Sequence, residues 1–398
     1  MDFSLSPEIN DLRLRIRAFV DTHIIPLESD PNAYDDHENI AHEPLERLKK
    51  LAKSEGLWSL SLPIEFGGLG LKVAEIAPCY EEMNRSIFGP VCFNASAPDD
   101  GNMRVMAQVA RPDQKEKWLR PIADGDIRSA FVMTEPMPGS GSDPSAMLTK
   151  AEKKGDKWIV NGKKWFITGA EAATHFILMA KTSEDARHGL TAFLYHKDQP
   201  GWRITRRIPI MGPEEHGGHC ELEFDNMEIP DTDRLMGVGE GLKVTQIRLG
   251  TARLTHCMRW LGLAERSMEI AADYVSKRES FGSTLAQHEG VQWMMGEVAM
   301  GIEVGRLLTM RAATKLDQGD FARKEVSMAK IQVADTLHLA ADTAIQLNGA
   351  RGYSKDTVLE WIYRYARQAR LVDGASEVHK MVLARNFLAE GNDFWSWD

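Results

Sequence analysis

The first third of the chain carries apolar residues at three- and four-residue spacing, as in EINDLRLRIRAFVDTHII from Glu8. This period predicts short helices, and the prolines between residues 26 and 112 predict the turns that join them. From about residue 127 to 235 the pattern changes to short β-rich runs with polar breaks, which predicts a small antiparallel β domain. Within it, Asn161-Gly162 is the dipeptide most typical of a hairpin turn.

From about residue 241 the helical period returns in longer pieces. Long helices with short connections predict an antiparallel bundle. The predicted helices are 242–277, 287–317, 321–347, 355–371 and a last one from Ser376. We therefore predict an α+β fold of three domains: an N-terminal α-helical domain over 1–125, a middle antiparallel β domain over 126–238 and a C-terminal four-helix bundle over 239–398.

The segment RLVDGASEVHK, residues 370–380, interrupts two stretches with a helical pattern. Gly374 tolerates backbone angles that break a helix, and Ser376 restarts it. Asp373 then has two interpretations. It is either an N-cap that accepts free backbone N–H groups, or a general base on a loop held between two helices. The residues alone do not decide between them.

Composition narrows the class of protein. The 48 Lys and Arg against 58 Asp and Glu give a net charge of −10 over 398 residues, which argues against nucleic acid or an anionic membrane as partner. Four scattered cysteines without a CxxC pair are typical of free thiols in a reducing compartment. The start lacks the features of a signal peptide, and no apolar run could span a bilayer. We expect a soluble cytoplasmic protein without membrane insertion.

Several motifs combine glycine, hydroxyl and charged residues, and each has a plain structural alternative. TEPMPGSGSD (134–143) predicts a loop of hydrogen-bond donors at a sheet edge, or a solvated turn. RESFG (278–282) could hold a phosphate and a ring, or cap a helix. QLNGARG (346–352) alone is most simply a glycine C-cap.

Two further clusters are interpreted conservatively. His216 and His219 lie in HGGH, and without a third ligand we interpret them as loop histidines rather than a metal site. No metal is therefore expected. Asp99 and Asp100 are interpreted as a solvent-exposed turn, although their segment could approach a substrate pocket.

Taken together, these motifs resemble the acyl-CoA dehydrogenase family in order and spacing, along nearly the whole chain. TEPMPGSGSD, NGKKWFITGA, RESFG, QLNGARG and DGASEVHK carry the resemblance. FNASAPDDGNM (93–103) and HGGH are similar to one branch, family members ten and eleven and their bacterial relatives. The resemblance implies non-covalent FAD between the domains and an acyl-CoA substrate.

The resemblance also assigns roles residue by residue. The residues expected along the flavin are Phe131, Met133, Thr134, Phe166 and Thr168. The residues expected at the pyrophosphate and adenine end, in a neighbouring subunit's FAD, are Arg278, Phe281, Gln346 and Gly349. The residues expected to bind or support the substrate are Ser142, Arg253 and Gly374. The cross-subunit contacts imply a homodimer or a homotetramer.

Asp373 occupies the place where most of the family has a glutamate that removes the α-proton of the acyl thioester. A second family solution places the base at the position of Ala252, which cannot serve. The implied reaction is α,β-dehydrogenation to a trans-2-enoyl-CoA, with hydride passing to FAD N5 and electrons to an electron-transfer flavoprotein. Aspartate is one methylene shorter than glutamate, and burial beside an acyl chain is expected to raise its pKa toward neutrality.

Two other functions stay open from the sequence. One is a flavin oxidase of the same fold, similar to nitroalkane oxidase, which also uses an aspartate base. The other is a catalytically silent protein that acts as an assembly partner. Ala350 and Val372 depart from the family pattern, and they leave the length, branching and hydroxylation of the acyl chain open.

Overall fold

The computed structural model describes residues 4–185 and 187–396. Its N-terminal part is helical, as predicted. The helices are α1 (Pro7–Phe19), α2 (His42–Ser54), α3 (Val73–Met83), α4 (Gly89–Cys92), α5 (Asp99–Val109), α6 (Pro112–Gln114) and α7 (Arg120–Ala123). Ser6 begins α1 as an N-cap, because its side chain accepts the Ile9 N–H at 3.3 Å.

The middle part is an eight-stranded sheet with the order β6-β7-β3-β2-β4-β5-β8, and β1 adds to it through β4. Most neighbours are antiparallel, as predicted, but β1 and β2 both run parallel to β4 and the sheet is therefore mixed. The strands are β1 (Arg128–Val132), β2 (Lys150–Lys154), β3 (Lys157–Thr168), β4 (Ala173–Lys181), β5 (Leu190–His196), β6 (Trp202–Arg207), β7 (His219–Pro230) and β8 (Arg234–Leu235).

The predicted hairpin at Asn161-Gly162 is wrong. Strand β3 runs through this dipeptide, and the turn between β2 and β3 lies at residues 155–156. A register shift occurs where β3 pairs with β7, between Val160 and Gly162. A Cβ at Gly162 would lie within 2.7 Å of Thr149, so glycine is required here for close packing in a bulge.

The C-terminal part is the predicted helical bundle. Helix α10 packs against α8, α9, α12 and α13, and α8 also packs against α9. The elements are α8 (Gly241–Lys277), the small strands β9 (Glu279–Ser280) and β10 (Ser283–Thr284), α9 (Glu289–Asp317), α10 (Arg323–Asn348), α11 (Ala350–Tyr353), α12 (Leu359–Gln368) and α13 (Ser376–Glu390). The predicted fold class is confirmed. The domain boundaries at 125/126 and 238/239 remain a proposal.

Helix α8 contributes to three hydrophobic cores. Its start, with Val244, packs against one face of the sheet and α5. Its middle, with Leu254 and Trp260, enters a core shared with the N-terminal helices. Its end, with Val275, packs against the end of α10. The helix therefore connects all three parts of the chain.

No helix within the described residues is both long and apolar enough to cross a membrane.

An ionic layer fixes α8 against α1 and α3. Arg17 contacts Glu82 at 3.2 Å, Glu265 at 3.1 Å and Glu269 at 2.9 Å. Arg85 donates to both carboxylate oxygens of Glu269, at 2.8 and 2.7 Å. A shared network of this kind fixes how the helices are rotated relative to one another, because breaking one pair would leave another charge partly buried and uncompensated.

Gly262 tests the contact between α8 and α3. A Cβ at this position would overlap the Glu81 carbonyl oxygen. We expect Gly262→Ala to lower the free energy of unfolding by about 1–3 kcal/mol through overpacking, measured by urea denaturation. The matched control is Gly250→Ala in the same helix, where an added Cβ would meet no other part of the structure within 4 Å. This change should be neutral or should stabilise the protein by up to about 1 kcal/mol. Equal effects of the two changes would contradict the packing argument.

Candidate active site

A cavity of about 780 Å³ lies between the sheet, α5, the first half of α8 and the loop that joins α12 to α13. Nine of the predicted site residues line it. They are Phe131, Met133, Thr134, Ser142, Phe166, Thr168, Arg253, Asp373 and Gly374. Residues from segments far apart in the sequence therefore meet around one space, as the motifs predicted.

The sheet side of the cavity presents aromatic rings with hydroxyl groups beside them. Phe166 has a left-handed backbone with φ of +50° and leaves 43% of its surface exposed. The Trp165 N–H donates to the Thr134 carbonyl at 3.0 Å, which ties β3 to the loop after β1. The Thr168 hydroxyl lies 3.0 Å from Nδ1 of His219. Such a wall suits a large planar aromatic ligand with polar edges.

The opposite side of the cavity carries Asp373 on a loop with an unusual backbone. Its φ is +51°, a left-handed conformation that aspartate tolerates better than most residues, and Gly374 follows with φ of +98°. Arg253 Nε donates to the Asp373 carbonyl at 2.7 Å. Lys330 Nζ donates to the carbonyls of Ala369 at 2.7 Å and Gly374 at 2.9 Å. Two buried cations thus hold the loop that separates α12 from α13.

The carboxylate of Asp373 is surrounded by nitrogen groups of α8. Its Oδ2 lies 3.4 Å from Nε2 of His256. Burial alone would raise the pKa of Asp373, but the hydrogen bond with His256 and the charges of Arg248 and Arg253 outweigh it and hold the pKa well below its usual range. Burial here comes together with cations, so the carboxylate is ionised, and the expected rise of its pKa beside an acyl chain stays a prediction.

Asp100, Glu135 and Glu215 line the same cavity, and the first two are less accessible than Asp373. The side chain of Asp373 keeps 21% of its surface exposed, against 2% for Asp100 and 2% for Glu135. Glu135 accepts the N–H groups of Leu148 at 2.7 Å and Thr149 at 2.8 Å. Its acceptors are thus used within the protein. Asp373 is therefore better placed to meet a ligand than Asp100 or Glu135, and Glu215 is the other half-buried carboxylate of this lining.

Asp99 and Asp100 are not a solvent-exposed turn, and that interpretation is wrong. Both lie at the start of α5 and are buried. Asp99 accepts the N–H and the hydroxyl of Ser129, both at 2.7 Å. Asp100 accepts the hydroxyl of Tyr80 at 3.0 Å and lines the cavity. Ion and hydrogen-bond partners from distant segments make this burial possible.

Sequence reasoning missed several polar residues of the cavity. Arg248 stacks over the Phe131 ring with 4.3 Å between its Cζ and the ring centre, and its Nε donates to Asn102 at 2.8 Å. His219 is the first residue of β7 rather than a loop residue. The spacing of Arg253, His256 and Arg259 puts them on one helix face, a signal that could have identified the histidine.

Four predicted residues lie elsewhere. Arg278 follows α8, Phe281 lies between β9 and β10 with 97% of its surface exposed, and Gln346 and Gly349 lie at the end of α10. The ends of α8 and α10 pack together in one small core. These residues share one end of the bundle, outside the cavity lining. Their assigned roles stay predictions.

Comparison with known families identifies this arrangement. The N-terminal, middle and C-terminal domains of acyl-CoA dehydrogenases match residues 6–126, 130–227 and 239–388. The chain belongs to the acyl-CoA dehydrogenase family. The resemblance drawn from the motifs is thus confirmed.

Similar proteins agree with this placement. Acyl-CoA dehydrogenase family member 11 of Gallus gallus is 37% identical over 96% of this chain, and the match covers 51% of that protein. Family member 10 of Mus musculus is 34% identical over 96% of this chain and 37% of its own length. The chain thus spans about half, or less, of these relatives. A Mycobacterium tuberculosis relative is 37% identical, and the match covers 97% of this chain and 96% of the relative.

Solved structures of the family share the fold. A Mycobacterium abscessus chain has a TM-score of 0.91 and 36% identity, over 98% of this chain and 100% of that one. Butyryl-CoA dehydrogenase from Megasphaera elsdenii has a TM-score of 0.85 and 28% identity, over 98% of this chain and 100% of that one.

Within residues 4–185 and 187–396, no three His, Cys, Asp or Glu side chains group as a metal site.

Lys330 tests how the Asp373 loop is held. We expect Lys330→Met to speed amide hydrogen exchange in residues 369–375 by about tenfold or more, because two buried carbonyls lose their donor. The measurement is hydrogen exchange followed by mass spectrometry. Lys380→Met removes an exposed lysine of α13 and is the matched control. Unchanged exchange in the Lys330 variant would contradict a holding role.

Proposed function

We propose that this chain catalyses α,β-dehydrogenation of an acyl-CoA thioester to a trans-2-enoyl-CoA, with Asp373 as the base and FAD as cofactor. One observation carries the proposal. The accessible carboxylate of Asp373 faces the same cavity as the aromatic and hydroxyl wall of Phe131, Thr134, Phe166 and Thr168. A base and a wall for a planar cofactor on opposite sides leave room for an acyl chain between them.

Asp373 removes the α-proton in this proposal. Its carboxylate is ionised, because its pKa lies well below the usual range, so it is ready to accept a proton. A bound acyl chain displaces water and raises the proton affinity of the carboxylate. Within the described residues, the backbone N–H of Asp373 donates to no acceptor. It is therefore free to polarise the thioester carbonyl, an effect of the oxyanion-hole type.

The residues of the cavity fit FAD. Phe131, Met133, Thr134, Phe166 and Thr168 offer flat apolar surfaces and hydroxyl groups along one wall. FAD, when bound, supplies the acceptor for the hydride lost from the β-carbon. Ser142, at the exposed rim, and Arg253 and Gly374, beside the base, contact or support the acyl-CoA. Glutaryl-CoA dehydrogenase, which is 28% identical to this chain, was solved in complex with glutaryl-CoA.

An electron-transfer flavoprotein is the proposed electron acceptor, and a cytoplasmic location is the proposed setting. One similar structure, with a TM-score of 0.87 and 30% identity, comes from work on an electron transferring flavoprotein of Acidaminococcus fermentans. This similarity supports the choice of acceptor.

The decisive experiment is an anaerobic titration of the purified holoprotein with saturated acyl-CoAs, followed at the flavin absorbance band. The panel contains short, long, branched and hydroxylated acyl chains. Bleaching by one chain type supports the proposed dehydrogenation and identifies the substrate class. A band that no acyl-CoA bleaches, together with oxygen consumption on a nitroalkane, contradicts it in favour of a flavin oxidase.

Asp373→Ala tests the base. We expect the rate of bleaching to fall by about 100-fold or more while the flavin band persists, because only the proton acceptor is lost. The measurement is stopped-flow absorbance with the acyl-CoA identified by the titration. The matched control is Glu377→Gln, an exposed carboxylate at the start of α13. Full activity of the alanine variant would end the assignment.

The remaining four predicted residues support a second proposal. We propose that Arg278, Phe281, Gln346 and Gly349 contact the pyrophosphate and adenine end of FAD bound to a neighbouring subunit of a homodimer or homotetramer. All four lie at one end of the bundle, and Phe281 exposes nearly its whole ring there. The left-handed backbone of Phe281 is strained for a bulky residue, and this strain supports a functional reason for presenting its ring here.

Phe281→Ser should weaken FAD binding by about tenfold or more, because an aromatic side chain loses its buried contact with the cofactor. The measurement is equilibrium fluorescence of FAD added to the cofactor-free protein. Leu388→Ser removes another exposed apolar side chain, on α13, and should change the affinity by less than about threefold. Equal affinities for the two variants would contradict the role of Phe281.

A further inference from the structure

We propose that His256 is a positioning residue for Asp373: a neutral imidazole, locked in one tautomer by Arg259, that donates a hydrogen bond to the carboxylate of the base. This inference rests on the proposed function for its catalytic meaning, but its structural part can be tested without a substrate.

The imidazole of His256 is held on three sides. Its Nε2 lies 3.4 Å from Oδ2 of Asp373, and its Nδ1 lies 3.3 Å from the terminal nitrogen of Arg259. Its ring stacks on Trp260, with 5.1 Å between ring centres and 28° between planes. Only 12% of the side chain is exposed. The ring therefore has little freedom to turn away from the base.

The contact with Arg259 determines which nitrogen carries the proton. A guanidinium can only donate, so Nδ1 of His256 must accept. Burial, together with the charge of Arg259, lowers the pKa of His256. The ring is thus neutral, and its single proton lies on Nε2. Nε2 is the nitrogen that lies 3.4 Å from Oδ2 of Asp373, so histidine acts here as a hydrogen-bond donor and not as a second base.

Arg259 is itself held by the N-terminal helices. It donates to the Ala95 carbonyl at 2.8 Å and lies 3.6 Å from Oδ2 of Asp100. Asp100 also accepts from Tyr80 at 3.0 Å and Arg104 at 3.1 Å. A series of hydrogen bonds and ion pairs thus links α3 and α5 through Arg259 and His256 to Asp373. The buried Asp100 and Arg259 therefore do more than pack, because they hold His256 in place beside Asp373.

The hydrogen bond matters because Asp373 is short and its loop is strained. Arg253 and Lys330 hold the backbone of the loop, but His256 is the neutral donor at the carboxylate. The other charged or titratable groups that act on Asp373 come from α8, α10 and α13. They are Arg248, Arg253, Lys330 and His379. Glu215, from the loop before β7, acts on His256 and favours its protonated form, against the stronger effects of burial and Arg259. Loss of His256 should leave these charges in place and remove only the donor.

The first test uses nitrogen-15 NMR of histidine-labelled holoprotein, with the signal assigned by its loss in His256→Gln. We expect a neutral ring protonated on Nε2 that does not titrate between about pH 6 and 9. We also expect the Nε2 resonance to shift in Asp373→Asn. A ring protonated on Nδ1, or one that titrates within this range, would overturn the proposal.

The second test is the pH dependence of flavin bleaching in His256→Leu and His256→Gln. Without the donor, the ionised carboxylate is less stable, so the acidic limb of the profile should move upward by about one pH unit or more in the leucine variant. Glutamine keeps an N–H donor and should restore at least half of the shift. Equal slowing at every pH, with no shift, would overturn the proposal and indicate packing alone.

The two tests separate failure of the inference from failure of the proposed function. If wild-type holoprotein is bleached by no acyl-CoA, the proposed function fails, and the tautomer of His256 still decides the structural inference. If wild type is bleached but the profile of the leucine variant does not shift, the inference fails and the function stands.

Discussion

Helix α8 packs into three hydrophobic cores at once, and this constraint determines how the three parts of the chain lie around it. Its apolar side chains pack against the sheet, the N-terminal helices and the end of α10. The polar side chains on its remaining face then have to lie where those three parts meet. Arg248, Arg253 and His256 all reach the cavity from this one helix. The cavity is therefore a consequence of packing, and its chemistry comes from what α8 presents there.

A cation-rich helix face inside a protein is costly unless acceptors are supplied. The break between α12 and α13 supplies them. Its left-handed Asp373 and Gly374 turn backbone carbonyls toward Arg253 and Lys330, while the carboxylate faces His256. The loop and the cations stabilise each other, because each supplies hydrogen-bond partners to partly buried polar groups of the other. A continuous helix in this place would have hidden the same carbonyls in its own hydrogen bonds.

The sequence predicted the order of elements and the long C-terminal helices, and nine of the residues it singled out line the cavity, because periodic patterns and local motifs carry that information. It failed where long-range partners decide. Asn161-Gly162 has the local signature of a turn, but contact with Thr149 makes it a bulge within β3. Asp99 and Asp100 have the composition of an exposed turn, but Ser129 and Tyr80 allow their burial. No pattern within one segment reports partners that come from another.

In the proposed reaction, the charges around the cavity suit an aspartate where most of the family has a glutamate. Arg248 and Arg253 lie beside Asp373, so the cavity stabilises negative charge even before a ligand binds. Removal of an α-proton creates negative charge on the thioester oxygen, and fixed cations favour that charge without reorganisation. A weaker base then suffices, because part of the driving force comes from stabilising the product of proton removal.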